Sequence, residues 1–267
     1  MPDFLYGTAW KKDRTAELTL TALRAGFRAI DTACQPKHYH EPGVGEALRT
    51  FLKESNGSRE EIFLQTKFTP LDGHDDRVPY DARADVETQV FQSFAVSCEN
   101  LGVSRVDSYV LHGPYTPHGL CDDDWAAWRA MERLYAEGKA AVLGISNVRL
   151  EQLRLLVAHA NTPPRFVQNR CFAAMGWDRE IRHFCKDHGI VYQGFSLLTA
   201  NLEILRSPAV RELAVRHGKT IPQIVFRFCA QIGILPITGT TDASHMKEDL
   251  ASNGFDLSDD ELRRLGA

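Results

Sequence analysis

Eight short apolar runs, each followed by a longer stretch of helical pattern, constrain this chain more than any other feature. The runs are Phe4–Thr8, Ala29–Ala33, Ile62–Lys67, Asp107–His112, Val142–Ser146, Phe166–Asn169, Val191–Ser196 and Ile234–Thr238. Near-continuous apolar strands suit a parallel sheet whose faces are both covered. Between the runs, "RTAELTLTALRAG" places Ala16, Leu20 and Leu23 on one face and stops at Gly26, a C-cap signal. Ala84–Gly102 reads as a long amphipathic helix. "DDDWAAWRAMERLYAEGK" opens on acids that suit a helix N-terminus and stops at Gly138. "NVRLEQLRLLVAHA", "WDREIRHFCKDHG", "IPQIVFRFCAQIG" and "DASHMKEDLASNG" continue the alternation, the last with Asp242 as N-cap. Eight such units in 267 residues predict an α/β chain folded as one (β/α)8 TIM barrel domain over 1–267. A doubly wound sheet is the rival arrangement, but no G-x-G-x-x-G opens a helix after the first strand. Pro70–Asp85 reads as loop.

Charge and composition exclude several classes of function. Lys plus Arg is 31 against 35 for Asp plus Glu, a formal charge of −4, so no nucleic-acid partner is expected. The longest apolar runs are short and broken by charges, so no membrane span is expected either. "MPDFLYGTAWKKD" lacks the basic-then-apolar layout of a signal peptide. Cys34, Cys98, Cys121, Cys171, Cys185 and Cys229 form no Cys-x-x-Cys pair, which points to reduced thiols in a cytoplasmic protein.

In a barrel of this kind chemistry gathers at the C-terminal ends of the strands. Asp31, Lys67 and His112 end three successive apolar runs. One charge alone reads as a strand cap facing water. Three in succession beside Tyr39 read as a site, with Asp31 and Lys67 pairing to offset the cost of burial. A lysine beside a tyrosine stabilises the phenolate and draws the phenol down from its usual value of about 10. Such a tyrosine can protonate a developing alkoxide, while a histidine at the same rim hydrogen-bonds the carbonyl oxygen. The set suits carbonyl reduction.

With these residues in place, "GFRAIDTA", "EPGVGEAL", "IFLQTK", "LGVSRVDSYVLHGP", "AVLGISN" and "LPITGTTDASHMKEDL" occur in an order that resembles the aldo-keto reductase superfamily. The likeness runs from Tyr6–Trp10 to Asp256–Leu265. It implies an extended nicotinamide coenzyme held without a Rossmann fold, and a catalytic tetrad of Asp31, Tyr39, Lys67 and His112. Tyr39 would be the general acid, Lys67 its tuner, Asp31 the anchor of Lys67, and His112 the group orienting the carbonyl. Ser146, Asn147 and Gln168 match the residues that hold the carboxamide. Phe195 matches the aromatic stacked on the nicotinamide, although an ordinary core Phe has the same spacing. Ser196 and Leu198 begin the loop over the pyrophosphate.

Four departures from the family pattern stand out. Tyr39 lies eight residues after Asp31 and two before Glu41, where the family has five and three; aligning on "EPGVGEAL" puts His38 opposite the usual Tyr. Both alignments stay open here, Tyr39 being the acid in one and His38 a proton donor in the other. A His38-x-His40 metal site lacks a visible third ligand, so no metal is expected. Gly113-Pro114 follows His112 where many relatives have Trp, which leaves Trp10 and Tyr115 as expected substrate walls, with Trp177 a weaker candidate. Gln168 is followed by Asn169 where many relatives carry Glu. The adenosine end offers Thr238, Gly239, Thr240, Thr241, His245 and Asp249 in place of the usual Lys-Ser pair and Arg. Backbone N–H groups at the Asp242 helix start are expected to hold a phosphate, with Lys247 adding charge if it points inward.

The expectation is an NADPH-dependent reductase of aldehydes or ketones, NADH being the alternative coenzyme. A small-molecule carbonyl is the expected partner, and a monomer is favoured. The short chain beyond the last helical pattern predicts a shallow pocket. Two rivals remain at this stage: a coenzyme-binding regulatory protein on the same fold, and a non-redox barrel enzyme using Thr238-Gly239-Thr240 as a phosphate cup.

Overall fold

All eight expected strands form, and all pair in parallel. The computed structural model describes residues 2–266. Strands β1 (Leu5–Gly7), β2 (Ala29–Asp31), β3 (Phe63–Phe68), β4 (Val106–Leu111), β5 (Ala140–Ser146), β6 (Phe166–Arg170), β7 (Val191–Phe195) and β8 (Ile234–Thr238) close into a barrel in sequence order. The connecting helices are α1 (Thr15–Ala25), α2 (Glu41–Ser55), α3 (Val86–Leu101), α4 (Asp122–Ala136), α5 (Leu150–His159) and α6 (Arg179–Asp187). Three helices join β7 to β8: α7 (Leu202–Arg206), α8 (Pro208–His217) and α9 (Ile221–Gln231). After β8 come α10 (Ala243–Leu250) and α11 (Asp259–Arg264). No helix is long and apolar enough to cross a membrane, among the described residues.

Details of the helices differ from the sequence expectation, α7 and α11 lying outside the expected patterns. Helix α1 buries Thr15, Leu18, Thr19, Ala22 and Leu23, leaving Ala16 and Leu20 half-buried. A 3-10 turn at Lys12–Arg14 precedes it, and the Thr15 hydroxyl donates to the Lys12 carbonyl, which sets this rotation. Helix α8 was not expected, although Ser207 caps it by accepting from the Val210 N–H and Pro208 and Gly218 bracket it.

Alternation along the strands builds the barrel interior in layers. Phe63, Phe166, Val191 and Leu235 form an apolar layer with Leu5 and Ala29. Two residues further along three of these strands come Gln65, Gln168 and Gln193, with Asp31 in register beside Gln65. Each of these four residues is buried. A third step reaches Lys67, Arg170 and Phe195. The site therefore sits on a polar floor.

Helix α2 packs close to α3 through Gly45. A Cβ there would stand 2.2 Å from the Asn100 carbonyl oxygen, so no larger residue fits. The buried Glu41 carboxyl, in the first turn of α2, accepts from the Thr66 and Ser97 hydroxyls. It ties the start of α2 to β3 and α3.

Candidate active site

The longer connection between β2 and α2 is pinned at several points. The Cys34 N–H donates to the Lys67 carbonyl, and the His38 and Tyr39 N–H groups both donate to the Gln35 carbonyl. The Trp10 N–H donates to the His38 carbonyl at 2.7 Å. With Glu41 anchoring the far end, the extra residues fold into a tight turn and Tyr39 lies over the barrel mouth. Its ring centre is 5.3 Å from Lys67 Nζ and 5.9 Å from the His112 ring.

Asp31, Tyr39, Lys67 and His112 thus come together. Lys67 is fully buried; its Nζ donates to Asp31 Oδ1 at 2.7 Å and to the Thr32 carbonyl at 2.7 Å. Asp31 Oδ1 also accepts from Gln65 and Gln168 Nε2, at 2.7 and 3.0 Å. These donors offset the desolvation of the pair. Burial pulls the Lys67 ammonium below its usual value, while Asp31 holds it up. Burial, and then the Asp31 charge, push the Tyr39 phenol well above its usual value. The sequence expectation that this phenol lies below its usual value is therefore corrected: burial and the Asp31 charge outweigh the pull of the Lys67 ammonium. The phenol keeps its proton at physiological pH.

Burial holds His112 well below its usual value, with the Lys67 charge adding to the effect, so the ring is neutral. Its Nδ1 lies 2.7 Å from the Thr69 hydroxyl. Thr69 is itself fixed, since its carbonyl accepts from His74 Nε2 and from the Tyr80 hydroxyl. Thr69 escaped sequence reasoning, although it lies two residues beyond Lys67. If its hydroxyl donates to Nδ1, Nε2 must carry the ring proton. Thr69→Val should then lower kcat/KM about tenfold through loss of one hydrogen bond, with Thr69→Ser restoring it. Steady-state kinetics of the three proteins checks this.

One cavity of about 850 Å3 runs from Tyr39 across the mouth to β8. Ser146, Asn147, Gln168, Phe195, Ser196, Leu198, Thr238, Gly239, Thr240, His245 and Asp249 all line it, as does Trp10. Asn147 and Ser196 have φ of 53° and 57°, a conformation non-glycine residues rarely adopt and one that clusters at functional sites. Asn147 Nδ2 donates to the His112 carbonyl at 2.8 Å, and the Ser146 hydroxyl to the Gln168 carbonyl at 2.6 Å. Asn169 lies buried behind the wall, its amide bonded to the backbone of Val148. Trp10 is 67% exposed and lies against His38, ring centres 4.0 Å apart. His38 Nδ1–H donates to Gln35 Oε1 at 2.8 Å.

Other expected residues lie elsewhere. Tyr115 does not line the cavity, because its N–H caps onto Asp124 Oδ1 and its ring packs on the core. Trp177 is buried against Phe228, with its Nε1 donating to the Leu265 carbonyl. The start of α10 is not a free phosphate cup, because the Asp242 carboxylate accepts from the Ser244 and His245 N–H groups. The Ser244 hydroxyl, together with those N–H groups, holds Asp242 down at about 2. Lys247 is exposed and does not line the cavity. Lys11, which sequence reasoning passed over, does line it, and donates to the Gly239 carbonyl.

Asp249 is buried under the β8 end and accepts from the Thr238 hydroxyl at 2.8 Å. Burial raises it from 3.8 to about 6. The folded state then binds this proton more tightly than the unfolded chain. Its contribution to stability is present below the unfolded value and is lost as pH rises through the folded one. Asp249→Asn should raise stability by about 1–3 kcal/mol at pH 8 and leave it nearly unchanged at pH 4. Thermal unfolding at the two pH values checks this.

The profile of the Aldo/keto reductase family matches residues 5–267. The chain belongs to this family. It is 30% identical over 247 residues to the uncharacterized oxidoreductase YtbE of Bacillus subtilis, covering 92% of this chain and 81% of that one. An aldo/keto reductase structure from Brucella melitensis superposes with a TM-score of 0.83 at 27% identity, covering 100% of this chain and 94% of that one. A Bombyx mori aldo-keto reductase in complex with NADP superposes at 0.84 with 22% identity, covering 100% and 88%, which speaks for the fold. The eight-stranded barrel and its site thus belong to a member of an oxidoreductase family.

Proposed function

We propose that this chain is an NAD(P)H-dependent reductase that converts an aldehyde or ketone to an alcohol, with Tyr39 as the general acid. The observation that carries the reading is the half-buried Tyr39 ring held between Lys67 and His112 at one end of an elongated cavity.

The cavity fits a dinucleotide. Its length, its two strained polar residues and its cationic Lys11 near the β8 loop suit an extended anionic ligand. Asn147, Ser146 and Gln168 would hold the carboxamide, and Phe195 would back the nicotinamide. Ser196, Leu198 and Lys11 would cover the pyrophosphate. Thr238, Gly239, Thr240, His245 and Asp249 would receive the adenosine end. When bound, the reduced coenzyme supplies a hydride to the carbonyl carbon.

The chain supplies the rest. His112 Nε2–H donates to the carbonyl oxygen and holds it near Tyr39. As the C=O π pair moves to oxygen, the Tyr39 hydroxyl gives up its proton, completing the alcohol. The Lys67 ammonium stabilises the phenolate left behind, and water restores the proton. Asp31 and the glutamine floor keep Lys67 charged and aimed.

NADPH is the coenzyme in this reading, with His245 the group able to carry positive charge toward a 2′-phosphate. Glu248 and Asp249 line the same end and favour the NADH alternative. The substrate is a small carbonyl compound, and the six free thiols accord with a cytoplasmic setting. Incubation with NADPH and a carbonyl panel tests the function through coenzyme oxidation. Coenzyme binding with no turnover across the panel would contradict it.

A further inference from the structure

Among the described residues, Arg170 is the one cationic side chain of the cavity wall that this mechanism leaves unused. It ends β6, two residues beyond Gln168 on the same face, and pairs in register with Phe195. Two strand residues span about 6.6 Å, so it stands one layer above the glutamine floor, at the mouth. Its guanidinium lies 5.6 Å from the centre of the Phe195 ring. The side chain is exposed and lines the cavity.

Two cationic side chains line this cavity, Lys11 and Arg170. Lys11 is committed to the Gly239 carbonyl at the β8 end. The Arg170 guanidinium has no carboxylate within salt-bridge distance and donates no hydrogen bond to the chain, among the described residues. Asp178, on the following turn, is already engaged by the Tyr192 hydroxyl and Asn169 Nδ2. The other groups near the tetrad are neutral or matched: His112 is neutral, Tyr39 keeps its proton, and Lys67 is paired with Asp31. A free guanidinium over a neutral pocket is a receptor for a planar anion, because its fork of N–H groups matches a carboxylate in two parallel bonds. Trp10, 67% exposed on the same mouth, adds a flat apolar wall for the body of the molecule.

We propose that Arg170 selects carbonyl substrates carrying a carboxylate, held by its guanidinium while the carbonyl meets Tyr39 and His112. The inference rests on the reductase reading. It places the charged group of the substrate on the β6 side of the mouth, away from the β8 end.

The test compares 4-carboxybenzaldehyde with benzaldehyde, using the wild type, Arg170→Gln, Arg170→Glu and Arg170→Lys with saturating NADPH. The wild type should favour the carboxylated aldehyde in kcat/KM by about ten- to a hundredfold, chiefly through KM. The ratio should fall near unity in Arg170→Gln, invert in Arg170→Glu and be partly kept in Arg170→Lys. Added salt should shrink the wild-type preference. Dissociation constants for NADPH, from quenching of protein fluorescence, should match in the wild type and Arg170→Gln. A wild-type ratio near unity, or a ratio kept in Arg170→Gln, would overturn the proposal. So would weaker NADPH binding by Arg170→Gln, which would assign the residue to the coenzyme. Turnover of benzaldehyde without discrimination defeats this inference alone. Turnover of neither aldehyde, despite NADPH binding, defeats the reductase reading and the inference with it.

Discussion

Tyr39→Phe should lower kcat about 10^2- to 10^4-fold while leaving coenzyme affinity and fold intact. The change removes one oxygen from a half-buried ring whose hydroxyl makes no hydrogen bond within the chain, among the described residues. The cost to folding should therefore be small, and the loss should fall on the proton-transfer step. Stopped-flow traces of coenzyme oxidation, beside fluorescence titrations of NADPH, separate the two effects. If His38 were the proton donor, Tyr39→Phe would retain most activity and His38→Ala would lose it. His38 spends its Nδ1–H on Gln35, which leaves Nε2 of a neutral ring as an acceptor. The geometry therefore favours Tyr39.

Lys67→Met should cost about 3–5 kcal/mol of stability and nearly all activity. The substitution leaves the Asp31 carboxylate buried with two amide donors and no cation. Asp31→Asn should be destabilising for the complementary reason, because it strands a fully buried ammonium. The double variant Asp31→Asn/Lys67→Met removes both charges. It should be more stable than the sum of the single losses implies, since direct partners do not act additively. Denaturant unfolding of the four proteins gives the cycle. Additive losses would mean that the 2.7 Å contact does not govern the energetics of the site.

The barrel was legible in the chain because its strands alternate with helices at a steady spacing, and because Gly26, Gly102 and Asp242 mark helix ends chemically. Asp31, Lys67 and His112 were legible as the polar ends of apolar runs. The placement of Tyr39 was not. It depends on the tight turn closed by the Gln35 carbonyl and on Glu41 holding α2, neither of which leaves a spacing signal. Gln65 and Gln193 were hidden inside runs read as apolar, and only the closed barrel turns them into a floor beneath Asp31. Tyr115 and Trp177 misled for the opposite reason. An aromatic near a site in sequence has the same composition whether it faces a cavity or the core. Arg170 was missed because it lies one residue beyond the expected end of its strand.

The claim that Tyr39 protonates a carbonyl reduced by hydride is tested most directly by isotope transfer. The protein is given NADPH deuterated at the transferable C4 position together with benzaldehyde, and the alcohol is examined by mass spectrometry. The account predicts one deuterium on the carbinol carbon for each coenzyme oxidised, and loss of this product in Tyr39→Phe. Alcohol without deuterium, or full transfer by Tyr39→Phe, would contradict it.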